Sequence, residues 1–328
     1  MKKLFTLVLC AFISVSSFAQ ADSAAANEVA GALTGKSGAT AQGWTKSGLL
    51  NIGIAQGMLQ NWAAGGERYS MAINGVFNGF ATHINDNKLF ENTLDAYYGL
   101  NYVQSNNFVP RKIDDRIDAS SRYGVKPYSW ADKNILKHTY VGGMVRAQTQ
   151  FSKGFNYALP NWETMNNGDG ISSFLSPLMI TAAAGFDYRP NSNFSVFFSP
   201  AAARLIFASA KHTILNPTGN FGIDYGETFA FQFGAYLTAR YQTALSDRID
   251  YRTRLDLYSN YLNEPQNVDI LWDNFFAMKL SNAVGVGLGV TLQYDHDIPG
   301  QREADGTLGP LGWTQLKQIL NVGINYKF

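Results

Sequence analysis

The stretch Leu320-Asn321-Val322-Gly323-Ile324-Asn325-Tyr326-Lys327-Phe328 alternates without a break. Leu320, Val322, Ile324, Tyr326 and Phe328 fall on one face of an extended chain, and Asn321, Gly323, Asn325 and Lys327 on the other. Successive side chains of a strand point to opposite sides of its sheet, so period two predicts a strand with one apolar and one polar face. A half-buried strand of a soluble protein would show the same period. What separates the two readings is position, because this strand ends the chain on an aromatic residue.

An aromatic last residue with apolar residues at every second place before it resembles the C-terminal signal of Gram-negative outer-membrane β-barrels, which their assembly machinery recognises. The other end of the chain agrees. Lys2 and Lys3 precede an apolar stretch from Leu4 to Phe18, and Ser17-Phe18-Ala19 has the small-x-small form of a cleavage site. Residues 1–19 therefore read as a secretory signal peptide and are excluded from fold reasoning. Cys10 is the only cysteine and lies inside that stretch; Leu9 stands before it where a lipobox needs a small residue. The mature chain is expected to lack disulfide and thiolate chemistry.

Composition narrows the class. No run of 18 or more apolar residues follows the signal, so a helical membrane span is not expected. Yet 14% of residues are aromatic and 31 are Gly, against only 16% charged. A transmembrane barrel accounts for this, with an apolar, aromatic-girdled outside and a polar or small inside. Without Lys2 and Lys3 the 26 basic residues fall to 24 against 25 acids, so the net charge passes from +1 to −1. That balance gives no reason to expect nucleic acid.

Residues 20–45 are small and polar and read as a flexible periplasmic lead, with one short helix conceivable over Ala24 to Leu33. After them come twelve alternating segments, near 46–61, 69–84, 89–105, 113–127, 135–155, 174–189, 193–208, 227–243, 248–263, 268–281, 283–297 and 314–328. Each reaches the roughly 9–11 residues that a tilted strand needs to cross a bilayer. In the eleventh, Val284, Val286, Leu288, Val290, Leu292 and Tyr294 alternate with Gly285, Gly287, Gly289, Thr291, Gln293 and Asp295. The fourth is the least apolar, but its charged face keeps period two. With the first strand running outward, the short joints all fall on the periplasmic side and the long Gly/Pro/Asn-rich ones outside, as outer-membrane barrels require. The expected fold is a 12-stranded antiparallel transmembrane barrel over 46–328 in the outer membrane, both termini periplasmic.

Several motifs resemble a Bacteroidetes outer-membrane barrel family known as domain of unknown function 3078. They are Asn61-Trp62-Ala63-Ala64-Gly65-Gly66, Arg111-Lys112-Ile113-Asp114-Asp115-Arg116, and Tyr188-Arg189-Pro190-Asn191 followed by Phe194 and Ser199-Pro200. The resemblance runs from about Trp44 to Phe328 and implies the barrel and its location; it brings no activity and no catalytic residues. Gln20 after the cleavage site also resembles secreted proteins of that phylum.

Chemistry was sought and weighed. A barrel-embedded phospholipase would need a serine within reach of a strand histidine. The four histidines are His83, His138, His212 and His296, and two places after His138 stands Tyr140 rather than Ser. An omptin-like protease could use Asp295-His296-Asp297, though solvated loop residues read more simply. Asn166-Asn167-Gly168-Asp169-Gly170 is oxygen-rich but lacks the distal Glu of a calcium loop. Gly285, Gly287 and Gly289 are followed by no helix start; they leave an inner wall free of side chains, for close packing or bending. No enzyme, metal or cofactor is expected.

The inner face carries the remaining signal. Alternation turns Asp114, Arg116, Asp118, Arg122, Arg146, Arg240, Asp250, Arg252, Arg254, Asp256, Asp269 and Asp273 inward. Such charges are tolerable in a lumen and costly against lipid. They either line a narrow aqueous path or pair with one another and close the barrel; six arginines against six aspartates favour pairing, and barrel size decides nothing. The functional expectation is a narrow pore or small-solute channel, the alternative a closed structural or surface-interaction barrel. Expected partners are outer-membrane lipids and lipopolysaccharide and the barrel-assembly machinery, with solute and partner protein unknown.

Overall fold

The computed structural model describes residues 42–58, 68–157, 162–281, 284–295 and 311–327. Residues 1–41, which cover the expected signal peptide and most of the expected lead, lie outside them, as do Asn61 to Gly66, His296, Asp297 and Phe328. Twelve strands form the molecule: β1 Gly43–Met58, β2 Tyr69–Asn85, β3 Lys88–Val103, β4 Arg111–Val125, β5 Thr139–Thr149, β6 Leu178–Asn191, β7 Phe194–Phe207, β8 Phe229–Ser246, β9 Ile249–Asn260, β10 Val268–Lys279, β11 Val284–Tyr294 and β12 Thr314–Lys327. Each pairs antiparallel with the next in sequence, and β12 returns to β1, so the sheet closes. Closure leaves no strand edge unpaired, which is what a sheet in hydrocarbon requires.

The expected strands are all present, including the charged fourth, with two shifts. β1 begins at Gly43 rather than 46, because β2 runs on to Asn85 and offers Trp44 and Thr45 the partners His83 and Thr82, with the Trp44 ring 4.8 Å from that of His83. β5 is shorter than the alternation suggests. Leu136–His138 is a 3₁₀ turn before it, so His138 precedes the strand rather than beginning it, and Phe151 and Ser152 leave the ladder to donate their N–H groups to Asp115 at 2.6 and 2.9 Å.

Seam closure depends on close approach. β12 meets β1 from Leu49–Lys327 to Gly53–Gly323, and a Cβ at Gly323 would run into the Ile52 carbonyl. On β7 the register slips beside Ser199 against both β6 and β8, and Pro200 sits in this bulge, where its missing N–H costs no ladder bond. Ser199 Oγ donates within the bulge, reaching the Ala184 and Ala201 carbonyls at 2.7 and 2.8 Å.

The short connections Asp86–Asn87, Ser192–Asn193 and Asp247–Arg248 gather at one end. The described parts of the longer ones, 150–157 with 162–177 and 208–228, gather at the other, while the 126–138 connection between β4 and β5 lies at the short-loop end. At the long-loop end a short helix, α1 Ala210–Thr213, packs over the 150–177 segment.

The outward face is apolar. Phe229, Phe231, Phe233, Leu316, Leu320, Val322 and Ile324 are all exposed, Leu320 by 62% and Ile324 by 64%. Such a continuous belt would be unfavourable in water and is what lipid accepts. Tyr326 pairs with Leu50 in the same register, with nothing described of its side chain.

Candidate functional site: the charged lumen

Cross-strand register puts Glu91 opposite Arg122, Asp118 opposite Gln148, and Arg254 opposite both Arg240 and Asp273. These residues face inward, because they meet partners on strands far round the ring. Arg146 of β5 reaches Asp256 of β9 at 3.2 Å, and Arg116 of β4 reaches Asp273 of β10 at 3.0 Å. Only a path across the interior permits such contacts.

Two layers of ion pairs result. The central one joins Arg146, bidentate to Asp118 at 2.8 and 2.6 Å, to Arg254, which lies 3.2 Å from Asp118 and 2.9 Å from Asp256. Tyr236 completes it by donating to Asp256 at 2.8 Å and accepting from Arg146 at 3.2 Å. Asp118, Arg146 and Asp256 are no more than 5% exposed. The second layer lies toward the short-loop end. There Arg189 binds Glu91 at 2.6 Å and Asp187 at 2.8 Å, and Arg122 stands 3.6 Å from Asp187. Arg240 looks onto this layer from 3.7 Å. Fixed bidentate geometry makes arginine the suitable cation for buried carboxylates.

Looser pairs sit nearer the long-loop end. Arg204 binds Asp269 at 2.7 Å and Lys317 binds Asp114 at 2.8 Å. Asp273 accepts from Thr291 at 2.7 Å as well as from Arg116. Asp250 is buried at the short-loop end of β9, opposite Ala277. Arg252 differs from the others: among the described residues no carboxylate lies within the 4 Å of an ion pair, and its guanidinium stands 5.9 Å from the Phe275 ring.

Sequence reasoning found these twelve positions and missed Glu91, Asp95, Asp187, Arg189, Arg204 and Lys317, all at the same inward parity. Period two would have found Asp187, which follows Gly185 at the next inward place. Arg189 was read as part of a turn motif. In the second motif, Lys112 pairs with Asp115 at 2.9 Å to hold the 150–152 segment, while Asp114 and Arg116 turn into the lumen.

The filled layers occupy one side. On the other, β11, β12 and β1 present Gly285, Gly287, Gly289, Gly323 and Gly53 inward, and a cavity of about 130 Å³ lies against Gly287 and Gly289 of β11 and Lys317 and Ile319 of β12, its remaining lining coming from β2, β3, β4, β8, β9 and β10. The Phe275 ring packs over Gly287, where an added Cβ would come within 3.2 Å. A second cavity of about 240 Å³ lies toward the long-loop end, lined by Gln148, Arg204, Asp269 and Gln293. Both are lined by Arg116.

The loops hold a serine–histidine couple that the histidine search did not anticipate. Ser176 Oγ is 2.6 Å from His212 Nδ1 and accepts the Ser209 N–H at 2.8 Å. Both side chains are almost wholly buried, so the pair ties the 150–177 segment to α1 rather than meeting a substrate. Burial lowers the His212 pKa, keeping the ring neutral at neutral pH. The oxygen-rich turn at Asn166–Gly170 is likewise tied: Asn166 donates to the Lys211 carbonyl at 2.9 Å, and Asp169 pairs with Lys211 at 2.9 Å and Lys153 at 3.4 Å. Those hydrogen bonds, from Lys211 first, hold the Asp169 carboxyl below its ordinary value. Among the described residues no group of three or more His, Cys, Asp or Glu is placed to hold a metal.

Closed strand order, an apolar outside and a charged inside define a transmembrane β-barrel of the outer-membrane kind. The model of a family described as a protein of unknown function, DUF3078, matches residues 54–155 and bears out the resemblance over that part, which includes the first two motifs. No curated protein matches the chain. Among solved structures, the translocator domain of autotransporter NalP from Neisseria meningitidis is similar at 10% identity and a TM-score of 0.38, covering 95% of this chain and 100% of that one. An outer membrane channel from Pseudomonas putida F1 is similar at 8% identity and a TM-score of 0.37, covering 88% and 97%. A Pseudomonas aeruginosa FadL homologue follows at 13% identity and 0.29, covering 87% of each. The barrel of this chain is defined by its own strand pairing, not by these faint likenesses.

Proposed function

We propose that the protein is an outer-membrane barrel that passes small solutes along an off-axis route, beside its ion-paired core rather than through it. The observation that carries this reading is the asymmetry of the lumen: guanidinium and carboxylate groups crowd the β3–β9 side, and Gly287 and Gly289 leave the β11 wall of the cavity bare. The two cavities meet at Arg116, whose bond to Asp273 narrows the route between them. Nothing in this reading needs catalysis.

Lipid and lipopolysaccharide would face the apolar belt, and the assembly machinery would read Leu320, Val322, Ile324, Tyr326 and Phe328. Short connections and both termini would lie in the periplasm. An epitope beside Gly168 should then be reachable on intact cells and one beside Asn191 should not; equal labelling would reverse or break the orientation.

Planar-bilayer recording of the refolded protein tests the passage. A small, steady conductance is expected, and Gly289→Leu should reduce it without lowering the melting temperature, since an added Cβ there meets nothing nearer than 3.9 Å. A silent parent would reject the passage in favour of a closed barrel, which the buried ion-pair layers would favour.

A further inference from the structure

We infer that the glycine-walled cavity binds a small oxyanion, a carboxylate or phosphate group, between Arg252 and Arg240. The inference deepens the passage proposed above by naming the class of solute its cavity would hold. Five cations line that cavity, Arg116, Arg240, Arg252, Arg254 and Lys317, against three carboxylates, Asp95, Asp114 and Asp273. Three of the cations are neutralised within the wall: Arg116 by Asp273, Lys317 by Asp114, and Arg254 by Asp118, Asp256 and Asp95.

Arg240 and Arg252 are left in excess. Arg240 has Glu91 as its nearest carboxylate, at 3.7 Å, and that carboxylate is already held by Arg189 at 2.6 Å. Its Nε is buried and, among the described residues, without a hydrogen-bond partner. Arg252 has no carboxylate at all within ion-pair distance among those residues.

The sheet also crowds these cations. Arg240 is directly opposite Arg254, and Arg252 is the next inward residue on the same strand as Arg254. Like charges directly opposite are destabilising, and arginine stays charged, so the cluster cannot relieve itself by losing a proton. An anion relieves it. A dianionic phosphate or a carboxylate offers several acceptors to two guanidinium forks, the geometry in which arginine binds best. The cavity of about 130 Å³ far exceeds the roughly 10–15 Å³ that one water needs, yet it suits a small anion rather than a polymer. Phe275 and Ile319, also in its lining, give an apolar side against which a short carbon chain could rest.

The test is calorimetric titration of the detergent-refolded full barrel with inorganic phosphate at fixed ionic strength, beside thermal melting in phosphate and in chloride. Saturable one-to-one binding and a higher melting temperature in phosphate are expected. Arg252→Gln should weaken phosphate affinity by at least about tenfold, the order of one charge-assisted hydrogen bond. Its melting temperature in chloride should match the parent's, because Arg252 holds no carboxylate. Ile319→Glu, which adds a carboxylate to the cavity without touching either arginine, should give the same loss and decides the matter if Arg252→Gln does not fold. Absence of saturable heat in the parent, or undiminished affinity in the variants, overturns the inference. Binding does not depend on conductance: a silent barrel that binds phosphate rejects the passage alone, and a conducting barrel that ignores phosphate rejects the anion site alone.

Discussion

Along β3 to β9 the lumen is packed with guanidinium and carboxylate groups, whereas β11 has glycine at three successive inward places, 285, 287 and 289, with Gly323 of β12 and Gly53 of β1 beside them. Both sides face the same interior, and each also turns an apolar side chain into it, Phe197 on the first and Ile319 on the second. The difference lies in what a side chain can reach. On the first side, Arg146, Arg189 and Arg254 each touch two or more carboxylates, so their charges are compensated within the wall. On the second, Gly285, Gly287, Gly289, Gly323 and Gly53 place no side chain in the lumen and Lys317 is held by Asp114, while Arg252 faces the cavity from β9, on the charged side, with no carboxylate in ion-pair reach among the described residues. Polar interiors of barrels can thus serve two ends at once: a charged layer is rigid when complete, and a bare wall beside it leaves room.

Arginine substitutions on the charged side should separate this contrast most sharply. Arg146→Leu leaves the buried Asp118 and Asp256 with Arg254 as their remaining cation and should lower unfolding free energy by about 3 kcal/mol, the lower end for breaking a buried pair. Arg254→Ser should behave similarly, since it serves the same two carboxylates. Unfolding in denaturant, followed by tryptophan fluorescence in detergent, would measure both. If they melt like the parent, the core is wetter and looser than the pairing implies.

Parity on β12 gives the next largest effect. Leu320→Arg points a charge at lipid near the middle of the strand and should cost about 2–4 kcal/mol, with less protein in the membrane. Ile319→Arg, one residue away, points into the cavity and should be tolerated. Equal losses in membrane fraction would deny that the two faces differ.

Arg252→Ser removes the same charge as Arg254→Ser and should change stability by less than about 1 kcal/mol, as for a solvated charge. Its effect should appear in reversal potential, shifted toward cations. A melting loss as large as that of Arg254→Ser would erase the distinction between a paired and an unpaired arginine on β9.

The smallest effect concerns the outer loops. Asp169 has a depressed folded pKa, so its contribution is present above the ordinary carboxylate value of about 4 and is lost as pH falls through the lowered value. Hydrogen exchange in 150–177 should therefore quicken below about pH 4 and in Asp169→Asn at neutral pH, with β-strand protection unchanged.

Strand number, strand ends to within a few residues and the inward set were legible because alternation is local: a residue's face follows from its parity once the strand is known. That is why Asp114 to Arg122, Arg252 to Asp256 and the terminal Leu320, Val322 and Ile324 could be assigned by inspection. The register slipped at Gly99–Leu100, Tyr188–Asn191, Ser199-Pro200 and Ala244–Ser246, and the chain left the ladder at the ends of β5, where side-chain acceptors such as Asp115 replace ladder partners.

What the sequence by itself determined was therefore a twelve-strand barrel with an apolar outside and a charged inside. Which arginine meets which aspartate was decided only by the closed structure. Arg146 lies 110 residues from Asp256 and Arg116 lies 157 from Asp273, and these pairs form because ring closure and strand tilt bring opposite walls together. Composition could count six arginines against six aspartates, but it could not show that Glu91, Asp187 and Arg189 join the balance, or that Arg252 is left out of it. Charge pairing across a lumen is a property of the cross-section, and no single strand contains it.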